Sequence, residues 1–491
     1  MPTAISTEAS AGGVNNTPAD NGSKKNARVV CRTGQGTEVQ AALVRMTRFM
    51  AAFEVQLPDT VLCISEVLPD FQIVCGEQTL YSGHAVVHSL VDFGSIMVCE
   101  AGLEEGSWSD SVAGSADAAR VLARDGFNIF LREWEEFYKI LPEFKVVVAD
   151  LQSFLDGLRR WLEPIESGLC AVPADTRLAV ERETLRELIA RATPAVSAMF
   201  ERFEFVAAAV PAELIPAHQA FCRRQLHPLL LCCPFMNRIF TKPLGYAGDY
   251  EMMNMIVRHA PEGDSLFAKL LQAYILNQAP AVAVRNRVDY FVKHFVAETT
   301  RVAASGRPAN ICSLGCGPAR EVEKFMVEHA LANHARFRLL DFNDETLGYT
   351  GRRMNAVKQQ HQRRTALTLV KKPAQFLLKE TGGSALGEER YDLIYCSGLY
   401  DYLNDRVIKT LNSRLYDRLH PGGVLIVTNF DPYNPIRHIM EFIFDWFLIH
   451  RDGQQLAALA PEQAVREHSG VRAEHSGCNI FLETRKPLDP P

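Results

Sequence analysis

The chain has 491 residues, of which 47% are hydrophobic and 22% charged, and its formal net charge is -6. This length and balance predict a soluble globular protein of about three domains, and the acidic excess argues against a nucleic-acid partner. Its 12 cysteines form no CxxC pair, and no segment has the apolar length of a signal peptide or a membrane span. We therefore expect a cytoplasmic protein with free thiols and no metal centre.

Two segments precede the first helices. Residues 1–27 are small and polar, which predicts a disordered tail. Residues 28–115 contain short apolar runs broken by Gly, Asp and Pro, typical of a small β-barrel or sandwich; the candidate strands are VLCISEV, DFQIVCG, HAVVHSLVDFG and SIMVCEAGL. This segment resembles a PilZ-like barrel, since Arg28 and Arg32 have the paired-arginine spacing of that family. The residues around Ser65 depart from the family's second element, which argues against cyclic-dinucleotide binding.

Residues 116–284 have the pattern of a helical domain. Apolar residues follow three- and four-residue steps as far as Ile165, and Pro142 interrupts them, so we expect two helices that meet near Leu141. A further helical stretch covers residues 176–206. The apolar stripe favours packing as a helical hairpin, with a homodimer through this region as the alternative.

A glycine-punctuated loop, GYAGD, lies within the helical domain at residues 245–249. Tyr246 stands next to a glycine that permits a tight turn, and loops rich in polar and aromatic groups often carry function. We interpret Tyr246 as a lid over an active site. Asp249 should cap a helix that begins at Tyr250.

Residues 285–491 alternate between strand and helix patterns. The candidate strands are NICSL, RFRLLDF, ALTLV, YDLIYC, VLIVTNF and NIFLETR, which predict a doubly wound, mainly parallel sheet. Gly315 and Gly317 follow the first strand, and their missing side chains let the backbone approach a ligand. Asp341 ends the second strand, where a carboxylate can bind a ribose diol; a solvated strand-end aspartate is the alternative.

Four motifs then occur in a fixed order: LGCGP, the acidic strand end at Asp341, YDLIYCSGLYDY and LHPGG. Together they resemble the class I S-adenosylmethionine-dependent methyltransferases over roughly residues 285 to 487. The resemblance implies a C-terminal Rossmann-like domain with S-adenosyl-L-methionine as cofactor. Ser313 stands where the family often has an acidic residue, so Glu321 or a backbone carbonyl would hold the methionine ammonium. The implied cofactor-binding residues are Gly315, Cys316 and Gly317 for the methionine part, Asp341 for the ribose, Phe342, Pro373, Ala374 and Gln375 for the adenine, and Ser397 and Gly398 beside the sulfonium.

The GYAGD loop and the later segment RNRVDYF at residues 285–291 resemble the bacterial enzymes that make 3-hydroxypalmitic acid methyl ester, a quorum-sensing signal. This resemblance implies a carboxyl O-methyltransferase that converts a long-chain 3-hydroxy fatty acid, free or carrier-bound, into its methyl ester. Other readings remain open: a methyltransferase with another acceptor, or a ligand-sensing module whose methyltransferase fold is vestigial. The intact glycine, acidic and LHPGG motifs count against a vestigial fold.

The residues themselves agree with a fatty-acid acceptor. The segment 438–450 is apolar and aromatic, and we expect a helix with Glu441 and Asp445 on its one polar face. Its Phe442, Trp446 and Phe447 could line an acyl tunnel, since each buried methylene contributes about 0.8 kcal/mol; an ordinary cover helix on the sheet is the alternative.

A carboxylate is already nucleophilic at neutral pH, so its methylation needs alignment and exclusion of water rather than a strong base. The protein should hold the carboxylate with a cation or with hydroxyls. The candidates for this catalytic role are Tyr246, Arg285, Arg287, Tyr400, Tyr402 and His438.

Overall fold

The computed structural model describes residues 27–488 apart from 35, 48, 57–61, 77, 93–95, 104–105, 109–130, 132–138 and 373–388. Residues 1–26 of the predicted tail, most of the first of the two helices expected around Leu141, and the adenine-side residues Pro373, Ala374 and Gln375 thus lie outside the described residues.

The N-terminal domain is a closed antiparallel barrel. Six strands are hydrogen-bonded in the order β4-β1-β2-β3-β6-β5, and pairing of β4 with β5 closes the circle. Phe53, Phe71 and Tyr81 fill its interior, with Phe53 and Phe71 rings 5.8 Å apart. The strands are β1 Ala27–Arg32, β2 Glu38–Met46, β3 Met50–Gln56, β4 Val67–Cys75, β5 Gln78–Asp92, β6 Ile96–Leu103 and the short edge strand β7 Ser107–Trp108. The barrel expected for residues 28–115 is therefore present, but within the predicted strand VLCISEV the described residues 62–66 form a turn that leads into β4.

Pro142 lies in the first turn of a helix of the helical domain, where proline's missing N–H costs nothing. The helices are α1 Pro142–Cys170, α2 Ala174–Ala208, α3 Ile215–Leu230, α4 Pro234–Thr241, α5 Tyr250–Arg258 and α6 Leu266–Leu276. The first two pack as a hairpin, and the Phe144 ring of α1 lies 5.7 Å from that of Phe203 on α2. Among the described residues no single helix is long and apolar enough to cross a membrane. The bent pair Ala174–Ala208 and Ala212–Leu230 has the length and apolar composition of a membrane span only when both parts are taken together.

Helix α7, Ala279–Ala303, joins two cores. Its first part, including Ala281 and Val284, packs into the core of the helical domain. Its later part, including Phe291 and Phe295, packs on the C-terminal sheet. The domain boundary expected between residues 284 and 285 falls inside this one helix, so the two domains share an element rather than a linker.

The C-terminal domain has a seven-stranded sheet in the order β10-β9-β8-β11-β12-β14-β13. The first five strands of that order are parallel, and β14 runs antiparallel to both of its neighbours. The elements are β8 Ala309–Leu314, α8 Arg320–Glu328, β9 Ala335–Asp341, α9 Asp344–Gln360, β10 Ala366–Lys371, β11 Tyr391–Cys396, α10 Asp405–Asp417, β12 Leu419–Phe430, α11 Gly453–Ala457, β13 Ser469–Ala473 and β14 Asn479–Arg485. Helices cover both faces: Phe325 of α8 packs on one and Leu411 of α10 on the other. This is the doubly wound sheet that the alternation predicted.

The segment after β12 is not the expected aromatic helix. Only its first residues are helical: the helical positions 437–438 run into a single π-helical turn, Ile439–Ile443, and the chain then continues to residue 450 without regular structure. Asp445 has a left-handed φ of 55°. The prediction that Glu441 and Asp445 share a polar face is wrong, because Glu441 pairs with nearby Arg437 whereas Asp445 is buried and contacts distant basic side chains.

Asp445 joins four parts of the chain. Its carboxylate lies 2.7 Å from Arg223 Nη2 of α3, 3.4 Å from Lys242 Nζ at the start of the GYAGD region, and 3.0 Å from His88 Nε2 of the barrel. Burial by itself would raise the pKa of Asp445, but Arg223, Lys242 and His88 together lower it well below its usual range. The cluster therefore holds an ionised carboxylate where three domains meet.

Replacing Asp445 with alanine should lower the free energy of unfolding by about 3–5 kcal/mol, since it leaves buried positive charge without its counterion. Urea unfolding of the purified variant measures this loss. The matched control is Asp156→Ala, which removes bridges to the exposed Arg159 and Arg160 and should cost less than about 1 kcal/mol. Equal losses for the two variants would contradict the expectation.

Candidate functional site

The glycine turn between β8 and α8 is held open towards a cavity. Gly315 and Gly317 have φ values of 65° and 51°, a region that side chains rarely adopt. The turn is bonded to the neighbouring strand, because Cys316 N–H donates to the Leu340 carbonyl at 2.8 Å. A Cβ placed on Gly317 would meet no protein atom within 4 Å. The backbone is thus exposed to a space that a ligand can fill.

Asp341 at the end of β9 completes this turn. Its side chain is 6% exposed, and its two oxygens accept hydrogen bonds from the N–H groups of Gly317 and Asn343, each at 3.0 Å. Burial raises the pKa of Asp341, and these amide donors oppose that rise. The alternative reading as a solvated strand-end residue is wrong. The carboxylate retains lone pairs that can accept from a diol at the same edge of the sheet.

Strands β9 and β10 extend the sheet on one side of β8, whereas β11 and β12 extend it on the other side. Parallel α/β sheets bind ligands in the crevice at such a reversal of strand order. Ser397 and Gly398 follow β11 there, opposite the glycine turn, and both line the cavity. Gly398 has a φ of 85°, and a Cβ at this position would lie 3.0 Å from Arg287 Nη1. The glycine therefore lets the Arg287 guanidinium approach the strand end closely.

Arg287 is a desolvated cation in the cavity wall. It lies on α7 where that helix passes between the two cores, and it is 7% exposed. Among the described residues its guanidinium forms no salt bridge, and it donates a long hydrogen bond to the Met253 sulfur at 3.9 Å. Burial lowers the pKa of Arg287, with Asp401 and Glu321 opposing that effect from a greater distance. A guanidinium in this position can bind an anion that enters the cavity.

The two nearby carboxylates are themselves buried and fixed. Glu321 accepts a hydrogen bond from the Tyr395 hydroxyl at 2.7 Å, and Asp401 accepts one from the Phe430 N–H at 2.6 Å. Burial raises the pKa of both groups, that of Asp401 to about 6. Both line the cavity, and Glu321 can accept from an ammonium group beside the glycine turn.

The GYAGD loop covers the same cavity. Asp249 caps α5, as expected: it accepts from Met252 N–H at 2.9 Å and binds Arg238. Tyr246 lines the cavity, and its ring centroid lies 5.1 Å from that of Phe342, directly after Asp341. The loop therefore places an aromatic ring over the end of β9.

A second pair of aromatic residues joins this loop to the segment after β12. Trp446 Nε1–H donates to the Tyr402 hydroxyl at 2.9 Å, and that hydroxyl lies 3.3 Å from the Ala247 carbonyl, to which it can donate. Both rings line the cavity. The two segments that were expected to build an acceptor pocket outside the sheet therefore do meet at one wall.

From this wall the cavity extends into the helical domain as an apolar arm. The residues that line it there include Phe235, Ile239, Ile256, Ile275, Val284 and Met440. The charged side chains Glu321, Asp341 and Asp401 of the lining belong to the C-terminal domain, and the apolar side chains above belong to the core of the helical domain. A molecule with one polar and one apolar part matches this distribution.

Three of the expected catalytic residues lie elsewhere. The Arg285 guanidinium donates to the carbonyls of Ile256 and Leu276, and the fully buried Tyr400 donates to Asn412. His438 pairs with Glu204 at 2.8 Å. Because these three side chains bind other parts of the protein, the prediction that they hold the acceptor is wrong.

Phe442 and Phe447 do not line the predicted tunnel either. Phe442 packs against Phe144 in the helical core, and Phe447 lies against His88 of the barrel. Cys316 lines the cavity, but burial raises the pKa of its thiol well above the usual range, so it is protonated rather than a thiolate nucleophile.

Sequence reasoning missed the contribution of the barrel. Gly34, Cys63, Ile64 and Glu66 all line the cavity although they precede the glycine turn by about 250 residues or more. The sequence contains one indication of this contribution: the adjacent polar residues Ser65 and Glu66 interrupt the apolar run VLCISEV, and a half-buried strand does not need two adjacent polar residues.

No family model matches this sequence, and no curated protein matches it. Solved structures overlap with parts of it. A possible exported protein from Bordetella parapertussis is 17% identical, with 65% of this chain and 100% of that one covered at a TM-score of 0.41. Magnesium protoporphyrin IX methyltransferase from Synechocystis, with bound S-adenosylhomocysteine, is 14% identical, with 51% and 99% covered at 0.34. The N-methyltransferase NodS from Bradyrhizobium japonicum, with the same molecule, is 16% identical, with 40% and 87% covered at 0.27. All three scores are below 0.5, so the site is interpreted from its own geometry.

Proposed function

We propose that this protein is a class I, Rossmann-like methyltransferase that uses S-adenosyl-L-methionine to esterify the carboxyl group of a long-chain 3-hydroxy fatty acid, making a methyl ester signal in the cytoplasm. One observation carries the proposal: a single cavity connects the glycine turn and Asp341 with a buried guanidinium and an apolar arm. A nucleotide-like cofactor fits the first part, and an acyl chain that ends in an anion fits the second.

The residues present fit the cofactor. Gly317 opens onto free space, Asp341 presents a fixed carboxylate to a ribose diol, and Glu321 offers an acceptor to an ammonium. Tyr246 and Phe342 supply an aromatic surface beside the end of β9. When bound, the cofactor would supply an electrophilic methyl group.

The acceptor side needs alignment rather than a base. Burial raises the pKa of Tyr246 and Tyr402 well above the usual value, so both hydroxyls are protonated and donate hydrogen bonds rather than remove protons. A carboxylate is nucleophilic without deprotonation, and Arg287 can hold one of its oxygens while the other faces the methyl group. The covering loop and Trp446 exclude water from that contact.

The direct test is methyl transfer by the purified protein. S-adenosylmethionine with a labelled methyl group is incubated with 3-hydroxypalmitate, and mass spectrometry detects the labelled methyl ester. Short-chain hydroxy acids and a fatty alcohol of equal length serve as comparison acceptors. Label in the alcohol but not the acid, or transfer independent of chain length, would contradict a long-chain carboxyl acceptor.

Asp341→Ala should weaken S-adenosylhomocysteine binding by about 2–4 kcal/mol, because charged hydrogen bonds to the ribose diol are lost. The same change also removes the acceptor of two turn amides, so some loss of stability accompanies it. Asp341→Asn is the matched variant: it keeps one oxygen acceptor and should lose less affinity. Calorimetric titration measures both. Unchanged affinity in a folded Asp341→Ala protein would remove Asp341 from the cofactor site.

Trp446→Ala should reduce ester formation while leaving S-adenosylhomocysteine affinity nearly intact, because Trp446 lines the cavity where its indole binds Tyr402 beside the GYAGD loop. The loss should be greater for long acids than for short ones, since only long chains contact the far wall. Tyr246→Ala should likewise reduce ester formation. Phe447→Leu is the control, as this neighbour faces His88 instead of the cavity. The measurement is ester yield against chain length, and equal losses at every length would contradict the tunnel.

A further inference from the structure

The barrel is bonded to the cavity wall by a short turn, residues 62–66. Val67 N–H, directly after this turn, donates to the Gly245 carbonyl at 2.9 Å, and Glu66 forms an antiparallel bridge with Tyr246. Ser65 Oγ donates to the Phe447 carbonyl at 3.0 Å and accepts from the Phe447 N–H at 2.6 Å. The barrel is therefore attached both to the GYAGD loop and to the chain that carries Trp446.

The conformation of the turn is stabilised by buried hydrogen bonds. Ser65 is fully buried with a φ of 61°, a conformation that costs a serine roughly 1–3 kcal/mol and that the surrounding contacts must stabilise. The Glu66 carboxylate accepts from the N–H groups of Gly34 at 2.8 Å and Cys63 at 2.9 Å, and burial raises its pKa to about 7. These bonds fix two loops of the barrel against each other at the cavity.

The turn contributes side chains to both the barrel core and the cavity wall. Leu62 packs inside the barrel, whereas Cys63 and Ile64 line the central cavity. Ile64 is 8% exposed, so its side chain is enclosed by the wall that it helps to form. On β5, His88 Nε2 lies 3.0 Å from the Asp445 carboxylate, which attaches this barrel strand to the residue directly before Trp446.

We propose that the barrel is a fixed wall of the reaction cavity rather than a separate sensing module, and that Ile64 determines which acceptors fit. The proposal rests on the proposed function for the identity of the acceptor. The barrel excludes water at the mouth of the cavity and sets its width, and the Asp445 cluster and the Ser65 contact keep it in place.

Alkylation of Cys63 tests the wall directly. The full-length protein is treated with iodoacetamide, and site-resolved mass spectrometry follows Cys63 against Cys170, an exposed thiol at the end of α1 that serves as internal control. S-adenosylhomocysteine and 3-hydroxypalmitate are added separately and together. We expect the occupied cavity to slow labelling of Cys63 several-fold and to leave Cys170 unchanged. Equal labelling of Cys63 while calorimetry shows both molecules bound would overturn the proposal.

Variants of Ile64 test selectivity. Ile64→Trp should lower ester yield from long acids with S-adenosylhomocysteine affinity preserved, and Ile64→Ala should admit bulkier acids. Val44→Ala, at an exposed position of the barrel, is the control and should leave the profile unchanged. Ester formation with identical profiles for wild type and both Ile64 variants would overturn the role of Ile64. Protection of Cys63 by S-adenosylhomocysteine without any methylated hydroxy acid would reject the proposed acceptor and support the barrel as wall.

Discussion

Arg287→Ala should lower kcat/KM for 3-hydroxypalmitate by about 30-fold to about 5,000-fold, which corresponds to about 2–5 kcal/mol for truncating one partner of a buried, hydrogen-bonded charge pair. The guanidinium is buried beside Gly398 and lines the cavity, so its loss removes the charged donor proposed for the acceptor carboxylate. Arg287→Lys keeps the charge but loses the planar fork, and should fall between wild type and alanine.

The matched control lies two residues away on the same helix. Arg285 binds backbone carbonyls of α5 and α6 outside the cavity, so Arg285→Ala should lower stability and leave kcat/KM near that of wild type. Titration of Arg287→Ala with S-adenosylhomocysteine shows whether Arg287 binds the carboxylate of the acceptor or that of the cofactor. Loss of S-adenosylhomocysteine affinity would assign Arg287 to the cofactor's carboxylate. Wild-type kinetics and wild-type affinity together would exclude Arg287 from binding either molecule.

Gly317→Val should abolish measurable S-adenosylhomocysteine binding. A Cβ at this position enters open space within the cavity, and the branched methyl groups of valine would occupy the volume that the methionine part needs. The φ of 51° adds strain, which is expected to cost roughly 1–3 kcal/mol of stability. Calorimetric titration of the folded variant is the measurement.

Gly306→Val separates strain from occlusion. Gly306 also has a left-handed φ, 78°, and also meets no atom within 4 Å, but it lies in the exposed connection between α7 and β8. Both variants should lose similar stability in thermal unfolding, and only Gly317→Val should lose binding. Retained affinity in Gly317→Val would show that the cavity at the glycine turn does not hold the cofactor.

Local sequence signals predicted much of the C-terminal domain. The glycine turn and Asp341 are recognisable because a strand, a turn and a helix start follow one another within a few residues. The cap at Asp249 is equally local. The segment after β12 could not be predicted in this way, because Asp445 adopts its left-handed conformation among Arg223, Lys242 and His88, which come from three distant parts of the chain. No pattern within residues 438–450 contains those partners.

The sequence also could not predict which of Arg285 and Arg287 lines the cavity. Two residues on an α-helix are separated by about 200° of rotation, so they face opposite sides, but the sequence does not say which side meets a cavity. In the structure Arg287 is the residue on the cavity side, because the missing side chain of Gly398 leaves room for its guanidinium. The barrel's part in the wall was hidden for the same reason, since Cys63 and Ile64 reach the cavity only through tertiary packing.

Helix α7 has a consequence for recombining this protein with others. It enters the helical core through Ala281 and the sheet through Phe291, with Arg287 between them. Inserting or deleting one residue between these contacts would turn one half by about 100° and shift it by about 1.5 Å relative to the other. Arg287 would then leave the cavity, or one apolar face would leave its core. A chimera that exchanges the helical domain or the sheet must therefore keep the whole helix from one parent and place its junction after Ala303.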